Sequence, residues 1–470
     1  MRRASLLAVP ACLAVVLAGC GGGGGGTTAA TRTEAAPPPT PPPPRTTARP
    51  ATRASVVTVR AIDGDTGKSL PAAAISVRGA TRRSRVTFAM RPRRLAVVNL
   101  WAPGYAPRSI PVPFAQQRAA VLRLYRRDTQ WPMYGADAAR TQAQTGIHLR
   151  PPFRIVWGRD LGGLVEFPAV VSDGVAYVAN FYGTLFALSM RNGQTLWHFD
   201  LGSIREASSP AVDGDTVVAH SRGGRVLVLD RVAGRQLWTW QAGGEIESSP
   251  VVIDGVDYLG DSAGNVYALD LRRHRLRWSY RDGCKITASA AVVDGTVYLG
   301  DYCGRLVALG AARGNFRFAV SAGSPVYGTS AVANGRVFVP SRDSGALVAF
   351  TTSGSHLWSV STGAYVYGAP AVWDGRVFFG SYNGLLYCVS AASGRILWTV
   401  NAGGSISGSP AVVDGIVYAG SFGHRITGVD ARTGRVVFAF PHGEYVPVSG
   451  NGGRLLLHGY ASVWAVEPAR

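Results

Sequence analysis

The sequence predicts an all-β protein, an eight-bladed β-propeller of four-stranded blades preceded by a small β-sandwich. Three observations predict it. A closing aromatic recurs at Trp157, Trp197, Trp238, Trp278, Phe318, Trp358, Trp398 and Phe438, at intervals of 40 residues with a single interval of 41. A hairpin dipeptide recurs in step with it at Asp173-Gly174, Asp213-Gly214, Asp254-Gly255, Asp294-Gly295, Asn334-Gly335, Asp374-Gly375, Asp414-Gly415 and Asn451-Gly452. Such dipeptides suit the two-residue type I′ turn, whose positive φ values match the twist of paired strands. The composition agrees: 59 Gly and 28 Pro among 470 residues, with 10% aromatic and only 16% charged residues, exclude a helical bundle.

Each repeat carries three turn signals and so four strands, A to D, with a short link to the next blade. Four short strands per repeat, set radially, is how a propeller protects its sheet edges. The phase of the repeat then fixes the closure. The first aromatic-bearing strand, Arg154-Ile155-Val156-Trp157, lacks strands A to C, and the stretch from Val448 to Val466 lacks strand D. Joined, residues 153–161 and 448–466 make the eighth blade from both ends of the repeat region.

Upstream, the chain divides by composition. Arg2 and Arg3 precede an apolar run from Leu6 to Leu17 that is too short to span a bilayer and reads as a secretory signal, residues 1–19. Its ending, Leu17-Ala18-Gly19-Cys20, resembles a bacterial lipobox, which implies that Cys20 is lipidated and anchors an extracytoplasmic protein to a membrane. Residues 20–53 hold six consecutive Gly, then eight Pro and eight Thr, a composition that cannot offset its own ordering entropy and reads as a linker. Residues 54–127 carry 14 Arg and Lys against 2 Asp, so most of the chain's net charge of +20 sits in the first folded segment. Strands are expected at 55–62, 74–77, 95–100 and 119–125. The Thr66-to-Ala72 segment and Ala102-Pro103-Gly104-Tyr105 make it similar to the carboxypeptidase-regulatory-like β-sandwich, a resemblance that implies a spacer or adhesion module. Asp63 and Asp65 are read as turn residues rather than as a Ca²⁺ loop. The basic charge points to an anionic membrane or wall polymer as partner, and export disfavours nucleic acid.

The third domain spans 128–470. Leu229-Asp230 through Trp238 and Val429-Asp430 through Phe438 resemble the tryptophan-docking repeat of pyrroloquinoline-quinone (PQQ) proteins, and Trp131-Pro132-Met133-Tyr134-Gly135 with Arg140-Thr141 is similar to their lead-in. The resemblance implies a PQQ-like propeller. It leaves open a PQQ- and Ca²⁺-dependent quinoprotein oxidoreductase, a cofactor-free lipoprotein scaffold of the kind found in the β-barrel assembly machinery, or a funnel that senses a small ligand or glycan. The enzymes of the family carry an adjacent Cys pair and a Trp against the quinone, and this chain has neither in the corresponding links. The reading favoured is a non-enzymatic, monomeric interaction scaffold of the cell envelope without cofactor or metal, its partner another envelope protein.

In a propeller the D–A links and B–C turns share one face. The links contribute Glu166, Arg205, Glu206, Glu245, Glu247, Lys285, Tyr327, Tyr365 and Tyr367 to the candidate binding surface, and the turns contribute Tyr302 and Tyr382. Glu245 and Glu247, two apart on extended chain, are expected to point the same way, with Lys285 beside them. Cys284 and Cys303 are about equidistant from the Asp294-Gly295 turn, which predicts a cross-strand disulfide in an oxidising compartment. Cys388 is expected to be a buried free thiol.

Overall fold

The computed structural model describes residues 55–77, 79–90, 95–113, 119–202, 206 and 208–469. The signal, Cys20 and the linker lie outside these residues, as does Arg205. Every regular element among the described residues is a strand.

Residues 55–124 form two sheets. One has the order β4-β1-β7 and the other β3-β2-β5-β6, with β1 Ser55–Asp63, β2 Ala74–Val77, β3 Ala80–Arg83, β4 Arg85–Met90, β5 Leu95–Trp101, β6 Arg108–Pro113 and β7 Ala119–Leu124. Strands β3, β4 and β6 were not anticipated. All three are edge strands, and edges tolerate the Arg-rich ATRR and Pro-bearing RSIPVP sequences that conceal them. Val59, Ile75, Val98 and Leu124 fill the space between the sheets. Asp63 and Asp65 are structural. The Asp63 carboxylate accepts the N–H groups of Asp65 and Thr66 at 3.0 and 2.7 Å and the Tyr105 hydroxyl at 2.7 Å. Asp65 accepts from Thr129, Gln130 and Asn451 at 3.0, 3.1 and 2.9 Å, which fastens this sandwich to blade 8.

Seven consecutive four-stranded meanders follow from Val170 to Pro441. In the eighth blade, strands A to C are Val448–Gly450, Leu455–His458 and Ser462–Pro468, and strand D is β9, Phe153–Asp160, paired antiparallel to Ser462–Pro468. The ring therefore closes by hydrogen bonds between the two ends of the repeat region.

Two hairpins depart from the expected turn. In blade 2, Asp213 pairs with Thr216, so the turn is Gly214-Asp215, one residue later, and Gly214 alone takes a positive φ of 55°. This shift accommodates the 41-residue interval. In blade 8, Gly450 pairs with Leu455 across a four-residue loop headed by Asn451, whose side chain accepts the N–H groups of Gly453 and Arg454.

Adjacent blades dock through the repeated aromatic. The indole N–H of Trp157, Trp278 and Trp358 donates to the carbonyls of Met190, Ala311 and Ala391 in the next blade at 2.9, 2.9 and 3.2 Å. Each ring lies against the third-turn glycine of that blade, where an added Cβ would come within 2.5–2.9 Å of the ring at Gly193, Gly234, Gly314, Gly354, Gly394 and Gly434. His274 occupies this position in blade 3 with φ 54° and stacks on Trp238 at 5.2 Å. Nearer the axis, the N–H groups of Ser209, Ser249 and Ser289 each donate to the hydroxyl of the next blade, Ser249, Ser289 and Thr329, at 2.9, 2.8 and 3.1 Å.

The lead-in segment closes the channel, which the sequence reading missed. Trp131 exchanges two backbone hydrogen bonds with Val171 of blade 1. The chain then crosses the axis, and its carbonyls at Pro132, Ala138, Ala139, Thr141 and Gln142 accept the N–H groups of Val212, Val292, Val332, Val372 and Val412, all at 2.8–2.9 Å. These are the second residues of strand A in blades 2, 4, 5, 6 and 7. Blade 3 is held by Arg140, fully buried, whose guanidinium donates to the carbonyls of Ser249 and Pro250 at 3.1 and 3.0 Å, of Ala290 at 2.8 Å, and of Tyr134. Burial pushes this guanidinium down to about 10, so it stays charged at neutral pH. The segment ends in β8, Ala143–Gln144, parallel to strand A of blade 7.

Replacing Arg140 by Met strands four buried carbonyls at the axis. Urea unfolding is expected to show a loss of about 3 kcal/mol or more, because hydrogen bonds to a charged donor contribute roughly 1.5–3 kcal/mol each. An unchanged midpoint would contradict the plug.

Candidate functional site

The D–A links and B–C turns converge on a shallow funnel at the axis. Its floor is Tyr134 of the plug, whose hydroxyl is bonded to Ser409 at 2.7 Å and whose ring meets Phe167 edge-on at 5.6 Å. Its walls come from the links, with Glu166, Glu247, Tyr327, Tyr367 and Tyr445 carrying the larger side chains.

One half of the rim is aromatic. Tyr302 contacts Tyr327 at 6.4 Å, Tyr327 contacts Tyr367 at 5.4 Å, and Tyr367 contacts Tyr382 at 4.9 Å. Tyr365 joins both Tyr367 and Tyr382, and the arc runs on through Phe422 to Tyr445. The Lys285 ammonium lies over the Tyr302 ring at 5.0 Å and the Arg342 guanidinium over Tyr302 and Tyr367 at 5.6 and 5.8 Å. Alternating link and turn positions bring these rings together, because each blade offers one of each at a similar radius.

The other half is charged. Glu245 and Glu247 lie in an irregular link, not on a strand, yet one side chain reaches both. Arg222 approaches Glu245 at 3.4 Å and Glu247 at 3.3 Å, and Lys285 meets Glu247 at 3.2 Å. Glu206 is buried rather than displayed, and its carboxylate accepts the backbone N–H of Arg222 at 3.2 and 3.1 Å, holding the turn that presents Arg222. Glu166 differs from all of these. It is largely buried at the funnel, and among the described residues no hydrogen bond or ion pair reaches its carboxylate. Burial, and then repulsion from Glu247, push its pKa up, with Arg222 opposing. The charge of Glu166 and Glu247 also adds to burial in pushing the Tyr327 phenol up.

Cys284 and Cys303 form a disulfide with Cα atoms 5.9 Å apart. They lie in the D–A link and the B–C turn rather than at the strands themselves. Beside the bridge the Tyr302 N–H donates to the Lys285 carbonyl at 2.9 Å. The bridge thus locks Lys285 and Tyr302, one residue inside it on each side. Cys388 is a buried free thiol in strand C of blade 6. Asp301, close to both sulfurs, is engaged by Arg305 at 2.7 Å.

The eight meanders, the docked indoles and the glycines beneath them define a propeller of the tryptophan-docked, PQQ-like repeat class. The family described as outer membrane protein assembly factor BamB matches residues 154–282, 281–366 and 343–463, and the chain belongs to that family. A curated relative, the outer membrane protein assembly factor BamB of Salmonella typhimurium, is 36% identical over 99 residues, 21% of this chain and 24% of the relative. The match therefore spans about a quarter of that relative's length. The crystal structure of BamB from Moraxella catarrhalis superposes with a TM-score of 0.57 at 16% identity, covering 67% of this chain and 99% of that one. The quinohemoprotein alcohol dehydrogenase of Comamonas testosteroni superposes with a TM-score of 0.64 at 14% identity, covering 73% and 81%. An assembly factor and an alcohol dehydrogenase thus share this fold.

Because the Glu166 pKa is raised by folding, the folded state binds its proton more tightly than the unfolded chain does, so stability falls as pH rises through the folded value. Glu166→Gln is therefore expected to raise the melting temperature at pH 7 and to leave it nearly unchanged at pH 4. A variant less stable at pH 7 would show instead that the carboxylate has a stabilising partner. Cys284→Ser with Cys303→Ser is expected to cost about 3 kcal/mol in denaturant unfolding, the loop-closure value for a loop of this length. It should also loosen the Lys285 and Tyr302 positions, readable as faster amide exchange.

Proposed function

We propose that the protein is a non-enzymatic scaffold of the cell envelope, exported, tethered to a membrane through lipidated Cys20, that holds another envelope protein against the aromatic face of its propeller. The observation that carries this reading is the continuous arc from Tyr302 to Tyr445, interleaved with Lys285 and Arg342. Tyr and Arg are the residues that anchor protein interfaces, because each offers a large contact area with a polar end. Tyr365 and Tyr182 present 46% and 62% of their surface to solvent although nothing in the fold requires it. Names of relatives in this family, outer membrane protein assembly factors, accord with a scaffold role.

The funnel is a poor match for PQQ with Ca²⁺. Its lining contains no Trp and no adjacent Cys pair to stack on a planar quinone, and of its two carboxylates Glu247 is held by Arg222 and Lys285. A hard cation needs six to eight oxygen ligands, and among the described residues lining the funnel Glu166 alone offers an uncommitted carboxylate.

A photo-crosslinking residue placed at Tyr365 or Tyr382 in cells is expected to capture one discrete envelope protein, and the same residue at Val232, exposed on the opposite face, is expected to capture none. Saturable PQQ binding at micromolar concentration with dye-linked alcohol oxidation would overturn this reading and make the funnel an active site.

A further inference from the structure

We propose that the small sandwich is a second contact point with the cell envelope, and that the outer face of its β4-β1-β7 sheet docks on an anionic lipid surface. In the propeller ten of the described arginines reach a carboxylate, among them Arg222, Arg231, Arg305, Arg342, Arg432 and Arg454. The sandwich has two carboxylates and both are committed, Asp63 to its own turn and Tyr105, Asp65 to blade 8. Arg60, Arg82, Arg83 and Arg85 are exposed, and among the described residues none of them meets a carboxylate.

Register sharpens the point. Arg60 on the central strand lies directly opposite Arg85 on the edge strand, on the outer face. Like charges in a cross-strand pair destabilise a sheet, and an external anion removes that cost. Side chains two apart share a face, so Val56 and Thr58 stand outward with Arg60, and Val121 of β7 lies opposite Arg60 on the other side. Val56 and Val121 are 56% and 42% exposed. The surface is thus an open sheet of arginines and valines, and Arg82 and Arg83 lie on β3, the edge strand of the other sheet that leads into β4. Arginine side chains over acidic headgroups, with short apolar side chains between them, match a lipid–water interface. The chain also enters this sheet at β1, directly after the segment in which the sequence places the tether.

The topology assigns an orientation. The sandwich meets the propeller at A–B turns. Arg108 approaches Asp173 at 3.8 Å, and Asp65 holds the Asn451 loop. The funnel opens on the other face. A sandwich seated on lipid leaves the aromatic rim free for a partner.

The test is sedimentation of the chain from Gly21 onward with vesicles of phosphatidylcholine alone or with about 30% phosphatidylglycerol. Binding is expected only to the anionic vesicles and is expected to fall steeply as salt shortens the Debye length from about 10 Å towards 3 Å. Arg60→Gln with Arg85→Gln should weaken binding at least tenfold, from about 1 kcal/mol per basic residue near the surface. The melting temperature should stay level or rise, since a repulsive pair is removed. Arg376→Gln with Arg432→Gln, which removes two propeller arginines paired to Asp374, should leave binding unchanged. Failure to bind anionic vesicles, equal loss in the propeller variant, or retention on an anionic polysaccharide without vesicle binding would each overturn the assignment.

Discussion

Everything in the propeller depends on one repeated contact, an indole of one blade laid on the third-turn glycine of the next. The contact works in two ways at once. The ring fills the wedge between adjacent sheets, and the N–H satisfies a turn carbonyl of the next blade, as Trp358 does for Ala391. A side chain at the glycine position would collide with the ring, so the glycine and the aromatic are constrained together. Where the indole is replaced by Phe318, the apolar half of the interaction survives and the hydrogen bond is given up. Where the glycine is replaced by His274, the left-handed backbone is kept and the imidazole stacks on Trp238 instead of clashing.

That repeat made the fold legible. Positions spaced by 40 residues, with turn dipeptides in phase, specify the number of blades, the strand order and the two-ended eighth blade without any knowledge of contacts. Legibility ended where periodicity ended. Residues 131–142 have no hydrophobic period, take positive φ at Ala136, Arg140 and Gln142, and find their partners in blades scattered across the chain. No local pattern announces a segment whose hydrogen bonds to the blades are all long-range. The edge strands of the sandwich were hidden for a related reason. An edge tolerates Pro and Arg because one side of it is unpaired, so the alternation that reveals a central strand is diluted.

The candidate site was legible in its membership and not in its roles. Link and turn residues could be assigned to one face from topology alone. Chain geometry then sorted them. Glu206 became a backbone acceptor for Arg222, Glu247 was shared between Arg222 and Lys285, and Glu166 was left at the funnel with no hydrogen bond or ion pair among the described residues. Such distinctions depend on one ångström of reach and on burial, which spacing does not encode. The functional consequence is that the aromatic half of the rim offers contact area while the charged half is mostly satisfied within itself.

The plug joins these levels, because a channel filled by Arg140 leaves the rim and the shallow funnel as the places where the propeller can engage another molecule. Native-state hydrogen exchange at the amides of Val212, Val292, Val332, Val372 and Val412 tests this most directly, since each donates to the lead-in segment. If the segment is seated as described, all five exchange only through global unfolding and share one high protection factor. If they exchange rapidly while the blade strands stay protected, the channel is open, and the account of a closed propeller acting through its rim fails.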